Sequence, residues 1–235
     1  MDKKALVQKY RPLVSLACCV HNLPNLLRRK GMGHGNRIEV SCALLKRVTI
    51  HFGGSNNHVY IDDFARLTDV NMYIYGDNNT VHIGPWSFLS KTEFCTENGG
   101  NAITIGEHAL ILGPNQLAAI EGTKITIGKD AMISSEVHFR TGDSHSVLDM
   151  EGRRINASRD ITLGEHVWIG NRATCLKGTV IPNNCIVGAC ALVSGKFEEP
   201  HCVIAGVPAK IVKRGVDWCR KRIGVGEVAP EYRNQ

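Results

Sequence analysis

The chain has 235 residues, room for one or two domains, with 43% hydrophobic but only 6% aromatic residues and a net charge of +6. This mild positive balance suits an anionic ligand such as a nucleotide cofactor, while the absence of an arginine-rich run or interleaved aromatic platform excludes a nucleic-acid binder. Nine cysteines at irregular spacing do not form a disulfide framework. Cys175, Cys185 and Cys190 read instead as small core residues in or near repeat columns, and a reduced cytoplasm is the expected location.

Residues 1–36 form a lead-in. Lys3, Lys4, Lys9 and Arg11 precede the apolar run Leu13 to Val20 in imitation of a short signal peptide, but no small-x-small cleavage site follows. Leu23, Leu26 and Leu27 continue a helical spacing. The expectation is an amphipathic helix in two parts around Pro12 and Pro24, ending in the flexible GMGHGN of Gly31 to Asn36. No segment approaches the about 20 apolar residues of a membrane span.

From Ile38 to about Leu67 a ragged strand pattern begins in VTIHF (Val48 to Phe52) and HVYID (His58 to Asp62), and is expected to cap the open end of the repeats downstream. Ile61-Asp62, Ile83-Gly84, Ile105-Gly106 and Ile127-Gly128 then recur every 22 residues, and GSNN at Gly54 to Asn57 returns as GDNN at Gly76 to Asn79. Each early coil is therefore read as three sixes plus a short corner loop of Gly, Asn and Asp, residues suited to positive φ. The frame passes through Ile133 and Phe139 and resumes at Leu163, 36 residues after Ile127, or twice 18. One coil thus contains an excursion of about a full coil's length, the polar, aperiodic stretch Arg140 to Asp160. A polar loop pushed out of a rigid scaffold is where chemistry is sought first.

The period is clearest from Ile161 to Ser194. Leu163, Ile169, Cys175, Ile181, Val187 and Val193 form one column of sixes, and Val167, Ala173, Thr179, Cys185 and Ala191 form a second, four places on. Neither a helix nor an ordinary strand has that period. It describes short strands wound three to a coil around an aliphatic interior. Gly164, Gly170 and Gly188 are expected at the corners, at backbone angles that side chains resist. VIAGVPAKIVKR (Val203 to Arg214) closes the coils, VDWCRKRIG reads as a short basic helix, and the chain past Gly226 reads as a loose tail. The domain reading is a helical lead-in at 1–36, a solenoid at 37–214 with loop 140–160 extruded, and a basic helix and tail at 215–235.

HVWIGN, the sixes after it and AGVPAKIVKR together resemble the hexapeptide-repeat acyltransferases with a left-handed parallel β-helix, within them the sugar and capsular-polysaccharide O-acetyltransferases related to galactoside and maltose acetyltransferases. The resemblance covers roughly Ile61 to Arg214. It supplies the left hand, which periodicity does not, since parallel crossovers are normally right-handed. What it implies is direct transfer of acetyl from acetyl-CoA to a sugar hydroxyl, with no metal and no covalent enzyme intermediate, in a homotrimer whose sites are shared between subunits.

His145 in GDSHSVLD matches the family's catalytic histidine, 23 residues before Trp168. An imidazole titrating near neutrality suits the task of taking the proton of a poorly nucleophilic hydroxyl. Asp143 or Asp149 is expected to orient the other ring nitrogen. Trp168 matches the tryptophan beside the pantetheine arm, a surface role, because a tryptophan hardly fits inside narrow coils. Asn171, Ala189, Ser194 and Lys213 match CoA-contacting positions. Lys196 takes a further basic place, although Gly195 is one residue more than the usual turn has there. Lys210, Lys213 and Arg214 suit the nucleotide phosphates. Asn115, Asp143 and Ser144 are acceptor-binding candidates, and an oxyanion donor is expected from the backbone near Gly142 or Trp168, or from the next subunit. The loop lacks the His-Pro pair of the galactoside enzymes, which points to capsule, sialic acid or lipopolysaccharide units rather than a simple free sugar.

Three other readings compete. N-acetylation of an amino sugar nucleotide commonly comes with an N-terminal nucleotide-sugar domain, which Met1 to Arg37 does not resemble. A zinc hydratase of the γ-carbonic anhydrase kind needs three histidines across an interface; His108 and His166 share a phase, but the close histidine pair is missing. A non-catalytic trimeric scaffold has no use for both His145 and Trp168 in register.

Overall fold

The six-residue frame becomes a three-sided coil of parallel strands, seen in a computed structural model that describes residues 10–26 and 29–229. The first side is a seven-stranded sheet of Arg37–Val40, His58–Ile61, Thr80–Ile83, Ala102–Ile105, Lys124–Ile127, Ile161–Leu163 and Val180–Ile181, one strand per coil. The second and third sides form one fifteen-stranded sheet. They are joined because Phe88–Glu97 and Leu110–Ile120 run continuously round the corner between them. Residues that face each other in neighbouring coils are 22 apart in the upper coils (His58 and Thr80), 36 apart across the loop (Ile125 and Ile161) and 18 apart below it (Thr162 and Val180). The extruded loop therefore occupies the place read from the period.

Both columns of sixes point inward. Leu163, Ile169, Cys175, Ile181, Val187 and Val193 are buried, as are Val167, Ala173, Thr179, Cys185 and Ala191. Ile61, Ile83, Ile105 and Ile127 stack above them in the same core. Each buried aliphatic side chain contributes roughly 1.5–3 kcal/mol of transfer free energy, repeated coil after coil. At the corner leading into the first side, the Gly, Asn and Asp loops carry a ladder of buried amides. Asn57 Oδ1 accepts from the Asn79 backbone N–H (2.8 Å) and Nδ2 (3.0 Å), and Asn79 Oδ1 accepts likewise from Asn101 (3.0 and 2.8 Å). Asn101 Oδ1 passes the pattern to the Thr123 N–H (3.1 Å).

Four expectations are corrected. The corner glycines Gly164, Gly170 and Gly188 do not have positive φ; that conformation falls two residues later, on His166, Arg172 and Cys190. Glycine is needed there for close approach: a Cβ on Gly128 would lie 2.3 Å from the Gly164 carbonyl oxygen one coil below. Cys190 is consequently an exposed corner residue, not a core one. The strands from Ile38 to Leu67 are full coils of the stack rather than a separate cap.

Finally, the basic helix expected after Arg214 is absent. Val216 to Gly224 is an irregular strap. Its backbone is committed elsewhere: the Val216 N–H donates to the His201 carbonyl (2.9 Å), and the Trp218 carbonyl accepts from His166 Nε2 (2.9 Å) rather than from a helical N–H.

At the other end, one helix, α1 (Arg11–Leu26), holds Pro12 in its first turn and Pro24 in its last. Proline is tolerated at the start because its missing N–H has no helical partner there. Any helical part before Tyr10 lies outside the described residues. Arg29–Met32, within the expected lead-in, already pairs with Ile50–Gly53 on the third side. The strand Cys202–Gly206 and the antiparallel Ala209–Arg214 close the stack.

Candidate active site

The loop leaves the third side after His138–Arg140 and returns to the first at Ile161. It begins tightly. Thr141 is buried and its Oγ1 accepts from Thr123 Oγ1 (2.6 Å) and the Ile120 N–H (3.0 Å). A Cβ on Gly142 would lie 2.2 Å from Ser158 Oγ and 2.5 Å from Ile120 Cδ1, so a larger residue would have to displace both side chains where the chain turns out. The loop then doubles back on itself: the Asp149 N–H donates to the Arg153 carbonyl and the Ile155 N–H to the Val147 carbonyl, both at 2.9 Å.

Asn156 is the internal tie. Its Nδ2 donates to Asp143 Oδ2 (2.8 Å) and to the His145 carbonyl (2.7 Å), while its Oδ1 accepts from the Val147 N–H (2.9 Å). Lys177, from the coil below, pairs with Asp143. The Lys177 ammonium first, and the Asn156 amide second, hold the Asp143 carboxyl below the usual carboxylate range. Outside the loop, Glu121 binds Arg154 in fork geometry and accepts from Ser158 Oγ (2.6 Å). Arg154 and then Ser158 lower the Glu121 carboxyl to about 2.

His145 projects from this scaffold as an exposed side chain, next to Ser144, whose φ is +60°. Neither expected carboxylate is on its ring. Asp143 is taken by Lys177 and Asn156, and Asp149 by Arg153, with Nε to Oδ2 at 2.9 Å. The residues that sequence reading missed are Asn156, Lys177 and Glu121. None had a spacing signal, because the first lies in an aperiodic stretch and the others are ordinary polar residues of the coils.

The remaining candidates divide between places. Asn115, Asn171 and Ala189 lie at the corner between the second and third sides, Asn171 and Ala189 in adjacent coils and Asn115 two coils above Asn171. There Asn171 Nδ2 donates to the Ser135 carbonyl (2.8 Å) and Oγ (2.9 Å) of the coil between. A cleft of about 450 Å³ follows this corner, lined by Asp69, Lys91, Asn115, Glu136 and His138 among others. Asn115 Oδ1 accepts from the Val137 N–H (2.8 Å), while its buried Nδ2 has no acceptor among the described residues. Ser194 and Lys196 lie at the other corner, below the His145 loop, with Lys196 bridged to Val180. Lys213 lies in the closing strand opposite Val203. Arg214 is engaged by Glu199 (2.8 Å).

Trp168 points outward from the second side, the side opposite the corner that extrudes His145. It is half-buried rather than open, because the C-terminal strap lays Trp218 against it, ring centroids 6.2 Å apart. Trp218 stacks on His166 (4.0 Å, interplanar 8°) and its Nε1 donates to the His166 carbonyl (2.8 Å). Arg220 locks the strap to Asp130 at 2.9 Å. The Trp168 Nε1–H is buried with no acceptor among the described residues. A buried donor without a partner is costly unless a ligand supplies one. His166 is fully engaged by Asp130 and the Trp218 carbonyl, so it is a strut of this corner. Within one chain, His145 and Trp168 are not brought together.

A three-sided stack of hexapeptide coils with a histidine-bearing loop extruded between two of them defines the class of left-handed β-helix acyltransferases. No family model matches the chain. The solved structure of the polysialic acid O-acetyltransferase OatWY is 33% identical, with TM-score 0.67 over 83% of this chain and 92% of that one. That of the polySia-specific acetyltransferase NeuO is 28% identical, with TM-score 0.75 over 82% of each. The chain therefore belongs to the hexapeptide-repeat O-acetyltransferase family. Among curated relatives, the polysialic acid O-acetyltransferase of Neisseria meningitidis is 36% identical over 38% of this chain. That of Escherichia coli O1:K1 is 33% identical over 38%. These matches span only 42% and 29% of the respective relatives. Among the described residues, no helix is long and apolar enough to cross a membrane.

Proposed function

We propose that the chain transfers acetyl from acetyl-CoA to a hydroxyl of a capsular polysaccharide, sialic acid or lipopolysaccharide unit, as a cytoplasmic homotrimer. The observation that carries this reading is the 33% identity to OatWY across 92% of that chain, with His145 on the loop extruded from the coil above the VWIG motif. Acetyl-CoA supplies the activated acetyl group as a thioester. His145 takes the proton of the acceptor hydroxyl as that oxygen attacks the carbonyl, the C–S bond then breaks, and CoA leaves as the thiol with the proton returned from the imidazolium. Asn156 ties the carbonyl of His145 to the carboxylate of Asp143, so Asp143 serves as a positioning residue through the loop backbone rather than through the imidazole.

The Trp168 indole N–H and Asn115 Nδ2, both buried without acceptors, suit ligand oxygens, the first beside the pantetheine arm and the second at the acceptor. Asn171 and Ala189 line the CoA corner. Ser194 and Lys196 extend the binding surface, Lys213 meets the phosphates, and Ser144 joins the acceptor contacts. The separation of His145 from Trp168 within one chain supports an assembly in which a second copy completes each site. Val147, Leu148, Met150 and Ile155, exposed on the loop, suit packing on that neighbour.

The test is acceptor-dependent release of CoA from acetyl-CoA across sialylated, capsular and simple sugars, with His145→Ala alongside. The expected result is an alkali-labile ester product and a fall of about 100-fold or more in the variant. An alkali-stable amide product would move the reading to N-acetylation. Unchanged release in His145→Ala would remove the histidine from the mechanism.

A further inference from the structure

Two features of the N-terminal segment play no part in the proposed site. The first is charge. Residues 1–37 hold eight Lys or Arg and one acid, Asp2, whereas the whole chain carries +6. The positive charge of the molecule is thus concentrated here, and the coils and tail together are close to neutral.

The second is an uncovered apolar row. α1 is held in one rotation: Asn22 Nδ2 donates to the Ala43 carbonyl and Asn22 Oδ1 accepts from the Leu45 N–H, both at 2.9 Å, and Arg11 pairs with Asp63 at 2.9 Å. That rotation turns Val14 and Cys18 towards Leu44, Phe64 and Trp86. It leaves Leu13, Leu16, Val20 and Leu23 on the outer side, 66, 63, 59 and 55% exposed. Their spacing places them on a single stripe along the helix. The helix itself contains no acidic residue.

An apolar stripe alone would suit several partners, and the charge selects among them. Lys3, Lys4 and Lys9 precede the stripe, and Arg28, Arg29 and Lys30 follow it. This is the pattern of a helix lying in a bilayer interface, apolar face among the upper acyl chains and cations at anionic headgroups. We propose that α1 docks the protein peripherally on an anionic lipid bilayer, with Leu13, Leu16, Val20 and Leu23 as the inserted face. The inference does not rest on the acetyl-transfer reading.

The full-length protein is sedimented with phosphatidylcholine vesicles, with and without about one-third phosphatidylglycerol. Binding is expected to the anionic vesicles, weakening as salt is raised. It should fall about tenfold or more in Leu16→Glu/Val20→Glu, which places charge in the inserted face, and in Arg28→Gln/Arg29→Gln/Lys30→Gln. Circular dichroism and thermal unfolding establish that both variants are folded, and neither changes a residue of the proposed site, so acetyl transfer to a soluble acceptor should be unchanged. Failure of the unaltered protein to bind anionic vesicles, or undiminished binding by both variants, overturns the proposal. So does a lipid-free change of oligomeric state in Leu16→Glu/Val20→Glu, which would assign the stripe to a second copy of the chain.

Discussion

The coil stack and the Arg140–Asp160 loop are held by opposite means. In the stack, every coil repeats the same inward aliphatic positions and the same backbone ladder, so support is shared among neighbours. The loop depends on single polar contacts: one buried amide, Asn156, one lysine from below and one glutamate from above. Stability resides where the pattern repeats, and the exposed histidine is placed where it does not. A rigid scaffold allows function to rest on a few hydrogen bonds that could not fold alone.

The largest loss of stability is expected in the core. Ile127→Ala, in a fully packed column, should cost about 2–5 kcal/mol in denaturant unfolding, while leaving the activity of the folded fraction near normal. Asn79→Ala removes the middle of the amide ladder and leaves neighbouring backbone groups unpaired; about 1–3 kcal/mol is expected by the same measurement. An effect near zero at either position would show that support in the stack is not shared as described.

The loop should respond in the reverse sense. Asn156→Ala is expected to lower kcat/KM by roughly tenfold, about 1.4 kcal/mol of transition-state stabilisation, and to hasten tryptic cleavage at Arg153 and Arg154. The melting temperature should move less than in Asn79→Ala. A large loss of stability with normal kinetics would contradict the division.

The finest test is pH. The Glu121 carboxyl is lowered from 4.5 to about 2, chiefly by Arg154 and then by Ser158. A depressed carboxylate stabilises the folded form above its unfolded value and loses that contribution as pH falls through the folded one. Amide protection within the loop, followed by hydrogen exchange, should therefore persist near pH 4 and decline towards pH 2, ahead of the core. In Glu121→Gln that separate decline should vanish.

Much of this was legible in the chain because a period is a local property. The 22-, 36- and 18-residue spacings set how many coils there are, which residues face inward and where the extra segment leaves, and the structure keeps all three. The glycine corners were located correctly but explained by the wrong physics, since close approach between coils is invisible in a single coil. The basic segment after Arg214 was misread because its helical appearance took no account of Trp218 and Arg220 finding partners at His166 and Asp130, far away in sequence.

What the sequence by itself determined is the solenoid and the loop that interrupts it, because hexapeptide periodicity specifies burial residue by residue. Only the tertiary structure decided that the strap covers Trp168, that Asn156 and Lys177 claim the carboxylate expected at the imidazole, and that His145 and Trp168 stand on opposed parts of the prism. Those outcomes depend on which corners and sides meet after winding, and contacts between aperiodic segments carry no spacing from which to be read.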